Sequence, residues 1–193
     1  MSRTARVLWM AKELGLDFKS VQTSPGEGSR TPEFMKINPN GHVPTIEDDG
    51  AVFWESLACN LYLLKKHGGP LMPKNVADEG RMIQWSFWAM LELESQILPL
   101  LFKVIRPAAT TDAAVAAANE KLPSVLGVLD GALAGKEYLL GSSFTGADLN
   151  VASVLSFLRM IKYDMSSFKN VSAWADRCLS RPAFAAASAV KAS

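Results

Sequence analysis

The residues best suited to hold a small ligand lie in one stretch, 38–56, which reads Asn-Pro-Asn-Gly-His-Val-Pro-Thr-Ile-Glu-Asp-Asp-Gly-Ala-Val-Phe-Trp-Glu-Ser. Pro44 removes a backbone donor, and its tertiary amide makes a cis Val43-Pro44 bond accessible just before a strand. A turn of that kind would leave the N–H and C=O of Val43 facing outward. Glu55-Ser56 stands where the stretch meets a helical run over residues 57–66. A helix start presents free N–H groups and a positive dipole end to an anion, and the Ser56 hydroxyl adds one more donor. The chemistry predicted is recognition of a carboxylate-bearing peptide, its backbone pairing with Val43 and one end held at Ser56. Ser56 as a plain N-cap is the simpler alternative.

Two short strands must carry these groups. Thr45-Ile46 and Ala51-Val52-Phe53 have strand character, and Asp48-Asp49-Gly50 between them suits a tight reversal. The ordered set Asn-Pro-x-Gly-x-Val-Pro, an Asp-Gly hairpin and then Glu-Ser-x-Ala-x-x-x-Tyr-Leu closely resembles the glutathione-binding half of cytosolic glutathione transferases. The likeness extends more weakly over nearly the whole chain and points to a serine-type, bacterial-like member.

The resemblance implies an α+β, thioredoxin-like N-terminal unit followed by an all-α helical domain. It also implies attack of the glutathione sulfur on an electrophile, with glutathione as co-substrate. The thiolate is the nucleophile, and a hydroxyl at a helix N-terminus favours it by a hydrogen bond and by the dipole. In Ser2-x-x-x-Arg6-Val7 the spacing is similar to that of serine-type members, which makes Ser2 the expected sulfur contact. A terminal N-cap, with Thr4 competing, is the other role open to it. The family places a β-strand just before this serine, and no residues here supply it, so the first strand is expected to be missing and sheet edges exposed. His42, Val43, Pro44, Glu55 and Ser56 are the expected glutathione contacts: Val43 through its backbone, His42 toward a carboxylate, Glu55 toward the γ-glutamyl amine. Cys59 is expected to be buried rather than nucleophilic. The second-substrate pocket is expected to be lined by Trp9, Trp85 or Trp88 and apolar residues of the long helix. The function this supports is conjugation of glutathione to small apolar electrophiles, the alternative being a non-catalytic module of the same fold used in binding or protein association. A glutathione-dependent reductase is disfavoured, since no cysteine lies near the first helix.

The 193 residues suffice for one large or two small domains, expected as 1–67, a linker at 68–77 rich in Gly and Pro, and 78–193. A net charge of +1, from 20 basic and 19 acidic residues, gives no electrostatic reason for nucleic acid or an anionic membrane. Cys59 and Cys178 form neither a metal motif nor a disulfide framework, which fits a cytoplasmic protein. A first helix is predicted through Val7, Met10, Ala11 and Leu14, then a strand at Phe18-Lys19-Ser20-Val21 and a short helix opened by Thr31-Pro32-Glu33. The second half reads as a long helix from Asp78 to about Ile105, with enough apolar residues for both a core face and a homodimer face. A helix from about Thr111 to Leu133 follows, kinked or broken at Pro123. Thr145-Gly146-Ala147-Asp148 has capping-box spacing ahead of the apolar run 149–161. Helices at 171–179 and 182–190 close the chain, with Trp174, Cys178 and Phe184 as packing residues.

Overall fold

The structure, a computed structural model, describes residues 3–190. It divides into two compact units: residues up to Met72 together with those from Arg181 onward, and Pro73–Ser180.

In the first unit the periodic stripe folds as helix α1, Thr4–Glu13, burying Arg6, Val7, Trp9, Met10 and Ala11. Gly15 (φ +65°) turns the chain out of it, in a region where an L side chain would be strained. Residues 18–21 depart from the expectation: they belong to no strand. Phe18 and Val21 have strand propensity, yet a strand exists only as a rung of a ladder, and the sheet among the described residues holds two other segments. Helix α2, Pro32–Ile37, begins as predicted, with the Thr31 hydroxyl accepting from Phe34 N at 3.3 Å.

Strands β1 (Thr45–Asp48) and β2 (Ala51–Trp54) pair antiparallel, Thr45 opposite Trp54 and Asp48 opposite Ala51. Asp49 and Gly50 make the two-residue turn, both at positive φ (51° and 79°), as such hairpins require. Helix α3, Ser56–His67, follows and buries Leu57, Cys59, Leu63 and Leu64. Among the described residues β1 pairs on one side only, and residues of β1 line an open groove of about 1660 Å³ together with Val7, Leu8, Ala11, Phe18 and Leu63. The short helix Pro182–Ser188, numbered α9 below, was expected within the helical half. It packs on α1 instead, because Phe184 meets Trp9 edge-on at 4.8 Å. Glu13 ties the pair together, taking Trp9 Nε1 at 3.0 Å and both Nε and Nη2 of Arg181 at 2.6 and 2.7 Å.

The second unit is helical. The long helix predicted from Asp78 begins at Val76 and has three parts: α4 (Val76–Trp88), a π-helical stretch (Ala89–Glu94) and α5 (Ser95–Ile105). The π stretch lies just before Pro99, whose missing N–H removes the bond to residue 95. The Ser95 hydroxyl donates instead to the carbonyls of Leu91 (2.7 Å) and Glu92 (3.0 Å). Helix α6, Asp112–Ala132, is continuous through Pro123, so of the kink or break expected there the break does not occur. Its buried ridge Leu122, Val125, Leu126 and Leu129 spans the proline and holds the helix on both sides. Helices α7 (Gly146–Met160) and α8 (Lys169–Leu179) complete the unit, followed in sequence by α9. No helix among the described residues is long and apolar enough to cross a membrane.

Candidate functional site

The loop before β1 is clamped by two side chains. Asn38, buried, donates through Nδ2 to the His42 carbonyl at 2.8 Å and to Thr45 Oγ1 at 3.2 Å, while its Oδ1 accepts from Asn40 N at 3.0 Å. Ser29 Oγ donates to the Gly41 carbonyl at 2.8 Å. Gly41 has φ +62°, and a Cβ there would lie 3.0 Å from both Ser29 O and Met35 Sδ. Glycine is therefore required twice over, for conformation and for space. The His42 side chain is exposed, so the part of His42 that the fold uses is its carbonyl. The Val43-Pro44 bond is cis, as expected. The Val43 N–H and C=O make no hydrogen bond among the described residues.

At the end of β2, Glu55 takes φ +67° and ψ 112°, an uncommon conformation for a residue with a side chain. Holding such a residue costs on the order of 1–3 kcal/mol and is met most often at functional sites. Its carbonyl accepts from Cys59 N at 2.9 Å and starts α3, while its side chain is exposed and makes no capping bond among the described residues. Ser56 follows, 3% exposed. It does not act as a plain N-cap: its Oγ accepts from Arg6 Nη1 at 3.3 Å. The Arg6 side chain is 2% exposed, and the Arg6 carbonyl accepts from Asn60 Nδ2 at 3.4 Å. The first turn of α3 carries no acidic residue and the last carries Lys65, Lys66 and His67, so the dipole is offset at its C-terminal end and left open at its N-terminal end.

The arrangement thus offers free backbone groups at Val43 and, farther along the same stretch, a helix N-terminus with a serine and a buried cation. Family models match in two pieces: "Glutathione S-transferase, N-terminal domain" over residues 1–66 and "Glutathione S-transferase, C-terminal domain" over residues 93–182. A glutathione S-transferase of Hyoscyamus muticus is 36% identical over 194 residues, covering 94% of this chain and 91% of the relative. One from Drosophila melanogaster is 32% identical over 179 residues, covering 90% of this chain and 79% of the relative. This chain belongs to the glutathione S-transferase family.

Its fold agrees with that of solved glutathione S-transferases. A theta-class glutathione S-transferase from Xanthomonas axonopodis pv. citri, solved with glutathione bound, is similar at a TM-score of 0.89 and 28% identity, covering 100% of this chain and 95% of that one.

Against this glutathione transferase fold the remaining expected residues divide. Ser2 lies outside the described residues. Cys59 is buried, its Sγ 3.5 Å from the Phe53 carbonyl, and burial pushes its thiol up to about 12, which suits packing and not nucleophilic attack. Trp9 departs from the sequence reading: it is 0% exposed, its Nε1 donates to Glu13 and its ring meets Phe184 edge-on, as in a core residue. Trp85 and Trp88 meet edge-on at 5.0 Å on α4, both partly exposed. The sequence reading missed Arg6 as a site residue, along with the clamp made by Asn38 and Ser29. The signal for Arg6 was present, since it stands one turn before Met10 in the buried stripe of α1, where a charge calls for a partner.

Proposed function

We propose that this transferase conjugates glutathione to small apolar electrophiles, holding the tripeptide across residues 42–56. The observation that carries this reading is the pairing of unengaged Val43 backbone groups with the open N-terminus of α3 at Ser56. The ligand's peptide backbone pairs with Val43, its γ-glutamyl carboxylate lies at Ser56, its amine faces Glu55, and the exposed His42 reaches toward the glycine end. In the reaction the thiol loses its proton, and the thiolate forms a bond to the electrophilic carbon as the leaving group departs or the electron pair moves into a conjugated acceptor. Ser2, by the spacing shared with serine-type members, donates the hydrogen bond that favours the thiolate. Glutathione bound in the Xanthomonas relative supports the co-substrate. Two buried cysteines, neither in a disulfide, fit a cytoplasmic setting.

Calorimetry with glutathione and steady-state rates with an aryl halide test the reading together. Losing a hydrogen bond to a charged group costs on the order of 1.5–3 kcal/mol, so Ser56→Ala weakens glutathione at least about tenfold. Ser2→Ala lowers kcat with little change in affinity. Unchanged affinity in Ser56→Ala rules the site out, and binding without turnover in the unmutated chain favours the non-catalytic module.

A further inference from the structure

We propose that Arg6 is a positioning residue that makes the Ser56 site selective for a carboxylate. The inference rests on the cradle reading above and deepens it.

A serine hydroxyl has one proton to give and two positions at which to accept. Ser56 Oγ already accepts from the Arg6 guanidinium at 3.3 Å, and that is its side-chain contact among the described residues. The surrounding first turn of α3 presents N–H groups, which are donors too. The Ser56 proton meets no acceptor among the described residues and is open to a ligand that accepts, and a hydroxyl that accepts from a cation is polarised toward giving that proton away. The group that satisfies such a site accepts only and carries negative charge. A carboxylate meets both conditions, whereas an amide presents an NH2 that meets donors.

Arg6 is held for this task from two sides. Ser56 and Asn60 are one turn apart on α3; the first contacts the guanidinium and the second bonds the Arg6 carbonyl at 3.4 Å. The clamp fixes the height of α1 against α3, so the charge remains beneath the helix N-terminus. At 2% exposure the guanidinium is kept from bulk water, which holds its donor on Ser56 Oγ.

The test is a double-mutant cycle on the full chain, with Arg6→Met, Ser56→Ala and the pair. Affinity is read by calorimetry for glutathione and for glutathione with its γ-glutamyl carboxylate converted to the amide; kcat and KM are read with an aryl halide. Arg6→Met is expected to weaken glutathione about 10- to 100-fold, to raise KM to match, and to leave kcat within about threefold. The amide analogue binds the unmutated chain and Arg6→Met alike, and the double variant is no more than about threefold weaker than Ser56→Ala, because both changes remove one unit. Arg6→Lys recovers most of the loss. Should Arg6→Met not fold, Arg6→Gln keeps a donor, removes the charge and carries the same comparison. The proposal is overturned if the two losses multiply, or if acid and amide forms weaken equally. If Ser56→Ala alone leaves glutathione affinity intact, it is the cradle reading that fails.

Discussion

At the scale of single residues, the site separates groups that can react from groups that cannot. Cys59 lies on α3 three residues after Ser56, yet burial raises its thiol from 9.0 to about 12. The folded state favours the thiol, so this contribution to stability is fully present below pH 9.0 and is lost as the pH climbs from there to about 12. At pH 8 the thiolate fraction in the native chain is on the order of a thousandfold below that of an unperturbed cysteine. Iodoacetamide labelling of Cys59, followed by mass spectrometry at pH 8, is therefore expected to be slow in buffer and fast in denaturant. Equal rates would show that Cys59 is accessible. The burial of Cys59 was legible in the sequence because it sits in the apolar run of a helix. The contact of Arg6 with Ser56 was not, since their separation of 50 positions leaves no local trace. Trp9 was misread for a related reason: a tryptophan near a site looks like a pocket wall until its packing partner, Phe184 at the other end of the chain, is known.

At the scale of elements, caps and turns follow from local spacing. Asp148 shows how much one of them holds. Its carboxylate accepts from Leu139 N (2.8 Å), Thr145 N and Oγ1 (2.9 Å each) and Trp174 Nε1 (2.9 Å), joining the start of α7 to the preceding loop and to α8. The Thr145 spacing announced the box; the bonds to Leu139 and Trp174 are tertiary and were not readable. Burial raises the Asp148 carboxyl, against which the four donors act. Asp148→Asn keeps the shape but turns an NH2 toward donors, and leaving buried donors unmet costs on the order of 1–3 kcal/mol each. A loss of about 2–3 kcal/mol with an unchanged m value is expected in urea unfolding. A loss below about 0.5 kcal/mol would show that the network contributes little beyond packing. Where the sequence misled at this scale, tertiary packing decided: the ridge from Leu122 to Leu129 carries α6 across Pro123, and residues 18–21, without a ladder, form no strand despite their propensity.

At the scale of the whole molecule, the apolar surface left on α4 and the π stretch asks for a partner. Phe87 and Leu91 are 61% and 68% exposed, and Ile83 stands one turn before Phe87. The inner side of the same helix buries Met82, Ser86 and Ala89, with Ser86 Oγ taking Asn150 Nδ2 at 2.8 Å, so the exposed row is a second face rather than a misplaced core. A net charge of +1 sets up little long-range repulsion between two copies. We infer that this row forms part of a homodimer interface, in which a two-fold axis uses each residue twice. Burying an apolar side chain of this size stabilises by about 1.5–3 kcal/mol, and a charge in its place adds a desolvation cost. Phe87→Glu with Leu91→Glu is thus expected to raise the dimer dissociation constant by at least about a hundredfold. Sedimentation equilibrium at micromolar concentration should show a dimer for the unmutated chain and a monomer for the double variant, while the urea midpoint, extrapolated to low protein concentration, changes little because neither residue is buried in the monomer. An unmutated chain that sediments as a monomer across that range would leave the exposed row without this role.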